Sequence, residues 1–170
     1  GAINPEYAKI LESFVKNGQI DVYPRVGKKG GGYCSSTDIT PTFILLNDVG
    51  DLNSLATLAH EMGHAYHSHF SRSQGPLYSG YSTSLAETAS TLFEAIATEA
   101  VFDTLPEKEK ISSLHNKINN TINSVVRQVA GFNFEHALHL AVREKGFVTK
   151  EEIAELHNKK MKEYLGPLFE

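Results

Sequence analysis

Cysteine is nearly missing. Cys34 is the only one among 170 residues, so no internal disulfide can form and a reducing compartment suits the chain. A lone thiol is more often a small packing residue than a nucleophile, and no His–Asn or His–Asp arrangement is recognisable around it. Positive charge is not in excess either. Sixteen Lys and Arg stand against 20 Asp and Glu, a net charge of -4, which argues against a nucleic-acid partner. No apolar run approaches the ~20 residues that span a bilayer and no signal peptide is visible, so no membrane role is expected. The stretch 27–32 is rich in glycine and lysine but lacks the G-x-x-x-x-G-K-[ST] order of a phosphate loop. It reads as a flexible turn into Tyr33, not a nucleotide site. Repeats, low-complexity tracts and linkers are absent too. What is present, 41% hydrophobic and 21% charged residues, suits one domain over 1–170.

The informative stretch is Thr57-Leu58-Ala59-His60-Glu61-Met62-Gly63-His64-Ala65-Tyr66-His67. In a helix, at ~100° per residue, His60 and His64 sit one turn apart on one face and can reach a single metal ion. Glu61 projects from the flank of that face, beside the place a water would take on the ion. This is the H-E-x-x-H pattern of zinc peptidases. Asp51, Asn53 and Ser54 are N-cap candidates, and Leu52, Leu55, Leu58, Ala59, Met62, Ala65 and Tyr66 recur with helical period on the opposite side. Gly63 costs roughly 1 kcal/mol against Ala in a helix, so it is expected where a substrate or a neighbouring strand comes close.

Around that helix the pattern predicts a mainly α fold. Pro5 to Asn17 reads as a short helix closed by Gly18. Tyr33–Ser36 and Pro41–Asn47 read as two short strands of a β-hairpin joined by a Thr/Asp/Pro turn. The strand edge is a place for an extended peptide to pair, or simply a cover for the helix. Ser71–Thr83 is a loop holding Tyr78 and Tyr81. A second helix is expected from Ser84 to Phe102, with Leu85, Ala89, Leu92, Phe93, Ile96 and Ala100 as its apolar face. A long helical region follows from Glu107 to Lys145, bent or broken near Gly131, and a last helix opens at Thr149 with a capping box to Glu152.

A catalytic zinc usually takes three protein ligands and keeps an open position. The third ligand has five candidates: His67, Glu87, Glu94, Glu99 and Asp103. His67 shares the face but lies ~10.5 Å along the axis from His60. It is better read as lining the cleft or supporting a ligand. Glu87 has a structural rival, because Ser84-Leu85-Ala86-Glu87 is itself a capping-box pattern. Yet no Lys or Arg occurs between Arg72 and Lys108 to partner Glu87 or Glu94. A metal ion would supply that missing cation, with Glu87 and then Glu94 the leading candidates.

The nine residues His60 to Ser68, followed by Leu85-Ala86-Glu87-Thr88-Ala89-Ser90-Thr91 and Glu94, resemble oligoendopeptidase F in the thimet oligopeptidase family. The stretches 27–34 and 41–47, with Arg127-Gln128 and Phe134-Glu135, are similar to the same family. The resemblance spans nearly the whole chain. It implies a gluzincin-type, zincin-like catalytic core with one zinc ion per chain, held by His60, His64 and Glu87, and Glu61 as general base. It also implies a nearby acid at Glu94, for which a role orienting a histidine ligand is the expectation. His67, Gly32, Tyr33 and Tyr81 are further candidates for supporting the ligands or touching substrate. The implied activity is hydrolysis of internal bonds of short, unstructured peptides in the cytoplasm; no oligomeric state follows. Members of the family are several times longer, and their Tyr-rich, His-bearing substrate segment lies beyond the point reached by Glu170. The chain is therefore expected to be a catalytic core from a larger enzyme. A zinc-binding but inactive core, and a helical interaction module without activity, are the alternatives.

Overall fold

The computed structural model describes residues 3–166. They fall into two compact units that divide between Leu105 and Pro106.

In the first unit, α1 (Pro5–Lys16) starts where the Asn4 side chain accepts the Glu6 N–H at 2.9 Å and Pro5 presets the backbone. Its buried residues are Ile10 and Phe14. Three strands follow: β1 (Ile20–Asp21), β2 (Tyr33–Ser35) and β3 (Phe43–Leu45). The expected hairpin is present as β2 and β3, antiparallel with Cys34 opposite Ile44. The sheet has one strand more than expected, β1, parallel to β3, in the order β1-β3-β2. Two residues are too few to show alternation, so β1 left no pattern in the sequence. β2 lies at an edge.

The helix carrying His60 and His64, α2 (Leu52–Ser71), is capped by Asp51, whose carboxylate accepts the Ser54 N–H at 2.8 Å. A 3₁₀ turn, Arg72–Gln74, leads out of it. Then comes α3 (Thr83–Phe102), whose cap is Ser82: its hydroxyl accepts the Leu85 N–H. The helix thus begins earlier than expected, and Glu87 takes no part in a capping box. The core joins Ile10 and Phe14 of α1, Ile44 and Leu46, and Met62, Ala65 and Tyr66 of α2. Tyr7 and Phe93 pack on Tyr66 with ring centroids 4.9 and 4.7 Å away.

The face that α3 turns inward matches its apolar stripe only in part: Ala89 lies against Gly63 and Phe93 packs on the core. Leu85 and Leu92 are exposed, whereas Ser90 is fully buried. A small polar residue sits there because α2 and α3 cross at Gly63. A Cβ on Gly63 would lie 2.7 Å from Ser90 Cα and 2.8 Å from the Ala89 carbonyl oxygen. The element that comes close is therefore a helix, neither the substrate nor the strand foreseen from the sequence.

The second unit holds α4 (Glu107–Ile122), a π-helical turn (Asn123–Arg127), α5 (Gln128–Lys145) and α6 (Lys150–Leu165). The irregularity lies in that wider turn; Gly131 continues inside α5 without a break. Thr149 and Glu152 form the expected capping box. Among the described residues of this unit, Ala130, Val148 and Met161 form the buried apolar set.

Candidate metal centre

Two neighbouring helices supply the site. From α2, His60 and His64 rise one turn apart with ring centroids 5.0 Å from each other. From α3, Glu87 reaches between them. Its Oε2 is 3.3 Å from His60 Nε2 and 3.7 Å from His64 Nε2. These three donor atoms lie within 4.8 Å of one another and form the group among the described residues able to hold a metal ion. Ligands bonded at ~2.0–2.1 Å to a tetrahedral ion sit roughly 3.4 Å apart, so the residues fit zinc.

Each donor is oriented by a neighbour. His60 Nδ1 donates to Glu94 Oε2 at 3.1 Å, which leaves Nε2 as the lone-pair nitrogen. The Ala86 carbonyl takes a hydrogen bond from His64. Ser90 Oγ donates to Glu87 Oε2 at 2.8 Å. A ring fixed through one nitrogen presents the other in a set direction, which is how outer groups tune metal ligands. The Glu94 carboxylate holds the His60 pKa above its ordinary value, while burial holds that of His64 below.

Glu61 is buried beside His60 and Glu87, and burial raises its carboxyl pKa. A hydrogen bond from the Cys34 amide opposes that rise. Gly32 lies directly on Glu61. A Cβ there would meet Thr57 Cγ2 at 2.7 Å and Glu61 Oε1 at 3.2 Å. The glycine is thus explained by contact with Glu61 and Thr57. Cys34 itself has its thiol pushed up to about 12, first by burial and then by the Glu61 charge, which leaves it unsuited to act as a nucleophile.

The other candidates lie elsewhere. His67 is not in the ligand group; its ring stacks on Tyr81 with centroids 3.8 Å apart. The Tyr81 hydroxyl in turn bonds Ser68 Oγ at 2.8 Å, which ties the loop before α3 to α2. Tyr33 is exposed on β2, and Tyr78 is exposed in the loop. Glu99 and Asp103, both exposed, stand outside the ligand group. A cavity of about 580 Å³ opens beside His64, lined among others by Cys34, Ser36, Ser68, Arg72 and Tyr81. Sequence reasoning missed Ser90, the Cys34 amide and Arg72. Each is defined by what lies across from it in space, a relation that leaves no pattern along the chain.

Comparison with known proteins bears on this geometry. Residues 4–169 match the model of peptidase family M3. Oligopeptidase PepF of Bacillus subtilis is 35% identical over 166 residues, covering 96% of this chain and 25% of its own. The chromosomal oligoendopeptidase F of Lactococcus lactis subsp. cremoris is 36% identical over 163 residues, 95% of this chain and 27% of the relative. The solved structure of PZ peptidase A with inhibitor 2 shares the fold, with a TM-score of 0.78 at 22% identity over 96% of this chain and 29% of that one. This chain thus spans about a quarter of the length of the curated relatives it matches. With nearly every residue inside the family match, the chain belongs to peptidase family M3.

Proposed function

We propose that the chain is the catalytic core, over 1–170, of a zinc-dependent endopeptidase that cuts internal bonds of short, unstructured peptides. The observation that carries this reading is the convergence of His60 Nε2, His64 Nε2 and Glu87 Oε2, with Glu61 alongside. These three residues would hold one zinc ion. When bound, that ion polarises a scissile carbonyl and makes a water nucleophilic near neutral pH.

The residues of the chain then do the proton work. Glu61 accepts a proton from the attacking water and passes it to the leaving amine. Its raised pKa suits both halves of that transfer, because a base nearer the working pH gives the proton back more readily. Glu94 and the Ala86 carbonyl keep the two imidazoles aimed, and Ser90 keeps Glu87 aimed. No acyl-enzyme is required, in keeping with the poorly ionised Cys34 thiol. The edge strand β2 and the cavity beside His64 offer a main-chain ladder and a trough for an extended peptide.

The test uses a quenched short peptide, metal analysis and Glu61→Gln. Zinc should bind at one per chain in both proteins, and turnover should fall by about 10²–10⁴-fold in the variant. Loss of zinc from Glu61→Gln, or undiminished activity, would refute the role of Glu61. A second reading, a zinc-binding but inactive core, is favoured by the one-quarter coverage of the relatives. Stoichiometric zinc without turnover in the unaltered chain would establish it.

A further inference from the structure

Arg72 stands directly after α2, and its side chain reaches the turn joining β2 to β3. A single guanidinium nitrogen, Nη2, lies 2.7 Å from the Thr40 carbonyl oxygen and 3.0 Å from that of Thr37. The same nitrogen is 3.1 Å from Thr42 Oγ1 and 3.4 Å from Ser36 Oγ. Thr42 is buried, and its hydroxyl also bonds that of Ser36 at 2.9 Å. The cation therefore grips both ends of the turn and its backbone. The other tie to this turn from the loop before α3 is slight, one bond from Ser79 Oγ to Asp38 Oδ1 at 2.9 Å.

At its opposite end the strand is already fixed. Gly32 rests on Thr57 and Glu61 of α2. Between these two points lies Cys34, which lines the cavity together with His64, Ser36 and Arg72 itself. One end of β2 is thus set by a glycine contact on α2, and the other by an arginine leaving that helix. The span between them is one wall of the trough.

We propose that Arg72 is a positioning residue for peptide binding: by clamping the β2–β3 turn to the end of α2, it sets how far the edge of β2 stands from the histidine face. This rests on the cavity being the peptide trough of the proposed peptidase. Arg72 also lines the cavity, but its Nη2 is taken up by the turn, so it acts through the strand and belongs to neither the ligand group nor the base. Its loss should therefore leave the chemistry intact and loosen the hold on substrate.

The test is Arg72→Met, which keeps an apolar stem without the donors, in the full chain. Zinc stoichiometry and zinc affinity should stay unchanged, and kcat should remain within about two-fold. KM for a peptide long enough to lie along β2 should rise about ten-fold, as expected when a charged hydrogen-bond donor is removed. Amide exchange should speed up over residues 33–42 and stay unaltered over α2 and α3. Arg72→Lys, which keeps the charge and three donors, should restore part of the KM. An unchanged KM would overturn the proposal, as would a joint fall of kcat and zinc affinity. Should the unaltered chain turn over no peptide, the peptidase reading fails separately. Exchange then still decides the clamp: undiminished protection of residues 33–42 in Arg72→Met overturns it.

Discussion

Single side chains carry opposed demands in this site. Glu94 is a carboxylate set against His60 Nδ1, a position where it fixes the ring and strengthens the charge on it. Replacing it with Gln keeps a hydrogen-bonding group but removes the charge. Zinc affinity is expected to fall about 10–100-fold, the usual cost of losing a partner behind a ligand, as measured by competition with a chelator. Unchanged affinity would show that Glu94 merely neighbours the site. Asp21, on β1, stands outside the ligand group. Arg25 Nη1 bonds both its oxygens at 2.7 and 2.8 Å, and Lys28 Nζ lies 3.1 Å away, so its pKa falls from 3.8 to about 2. The folded pKa is the lower one. The stabilisation is therefore complete above the unfolded value and is lost as pH falls from about 4 to about 2. Acid unfolding of Asp21→Asn should lack that component; an identical pH profile for the two proteins would contradict the assignment.

At the scale of elements, the crossing of α2 and α3 decides whether a site exists. Ala at position 63 gains roughly 1 kcal/mol of helix propensity. Against that, its Cβ falls 2.7 Å from Ser90 Cα, where only a shift of backbone can relieve the clash. Overpacking of this kind costs about 1–3 kcal/mol, so the steric effect wins. Gly63→Ala should lower the melting temperature and, because α3 carries Glu87, weaken zinc binding as well. A more stable variant with full zinc affinity would show that the helices have room to spare. The same crossing explains a misreading. Of the expected inner face of α3, Ala89 does make the contact, but Leu85 and Leu92 are exposed and the buried Ser90 takes the other place, because closeness of the backbones mattered more there than apolar volume. The capping pattern at Ser84 was likewise overtaken by Ser82, two residues earlier. Both serines suit a cap by type, and the path of the preceding loop chose between them.

For the whole molecule, the ligand group draws every donor from the first unit. A ligand that binds the folded form alone stabilises it by about 2.7 kcal/mol at a hundred times its dissociation constant. Zinc should therefore raise protection from amide exchange throughout α2 and α3, and chelation should remove the gain. Equal protection with and without zinc would argue that these residues do not hold the ion. No described helix is long and apolar enough to cross a membrane. Large apolar side chains including Val26, Ile39 and Leu77 are almost fully exposed, and the curated relatives are about four times as long as this chain.

The amino-acid sequence by itself determined the helix bearing His60, Glu61 and His64, since a four-residue spacing and a 3.6-residue period are local facts. It also carried the mainly α character and the family, because paired His and Glu motifs are read without knowing where the chain turns. Spacing alone put Glu87 ahead of Glu94, Glu99 and Asp103 without deciding among them, and it was the family resemblance that pointed to Glu87. Its meeting with the imidazoles depended on the angle at which α3 crosses α2, and the crossing is set by a glycine against a buried serine 27 positions away. The use of Arg72 was hidden for the same reason: its partners lie 30 to 36 residues earlier, and only the folded hairpin turn gathers them around one nitrogen.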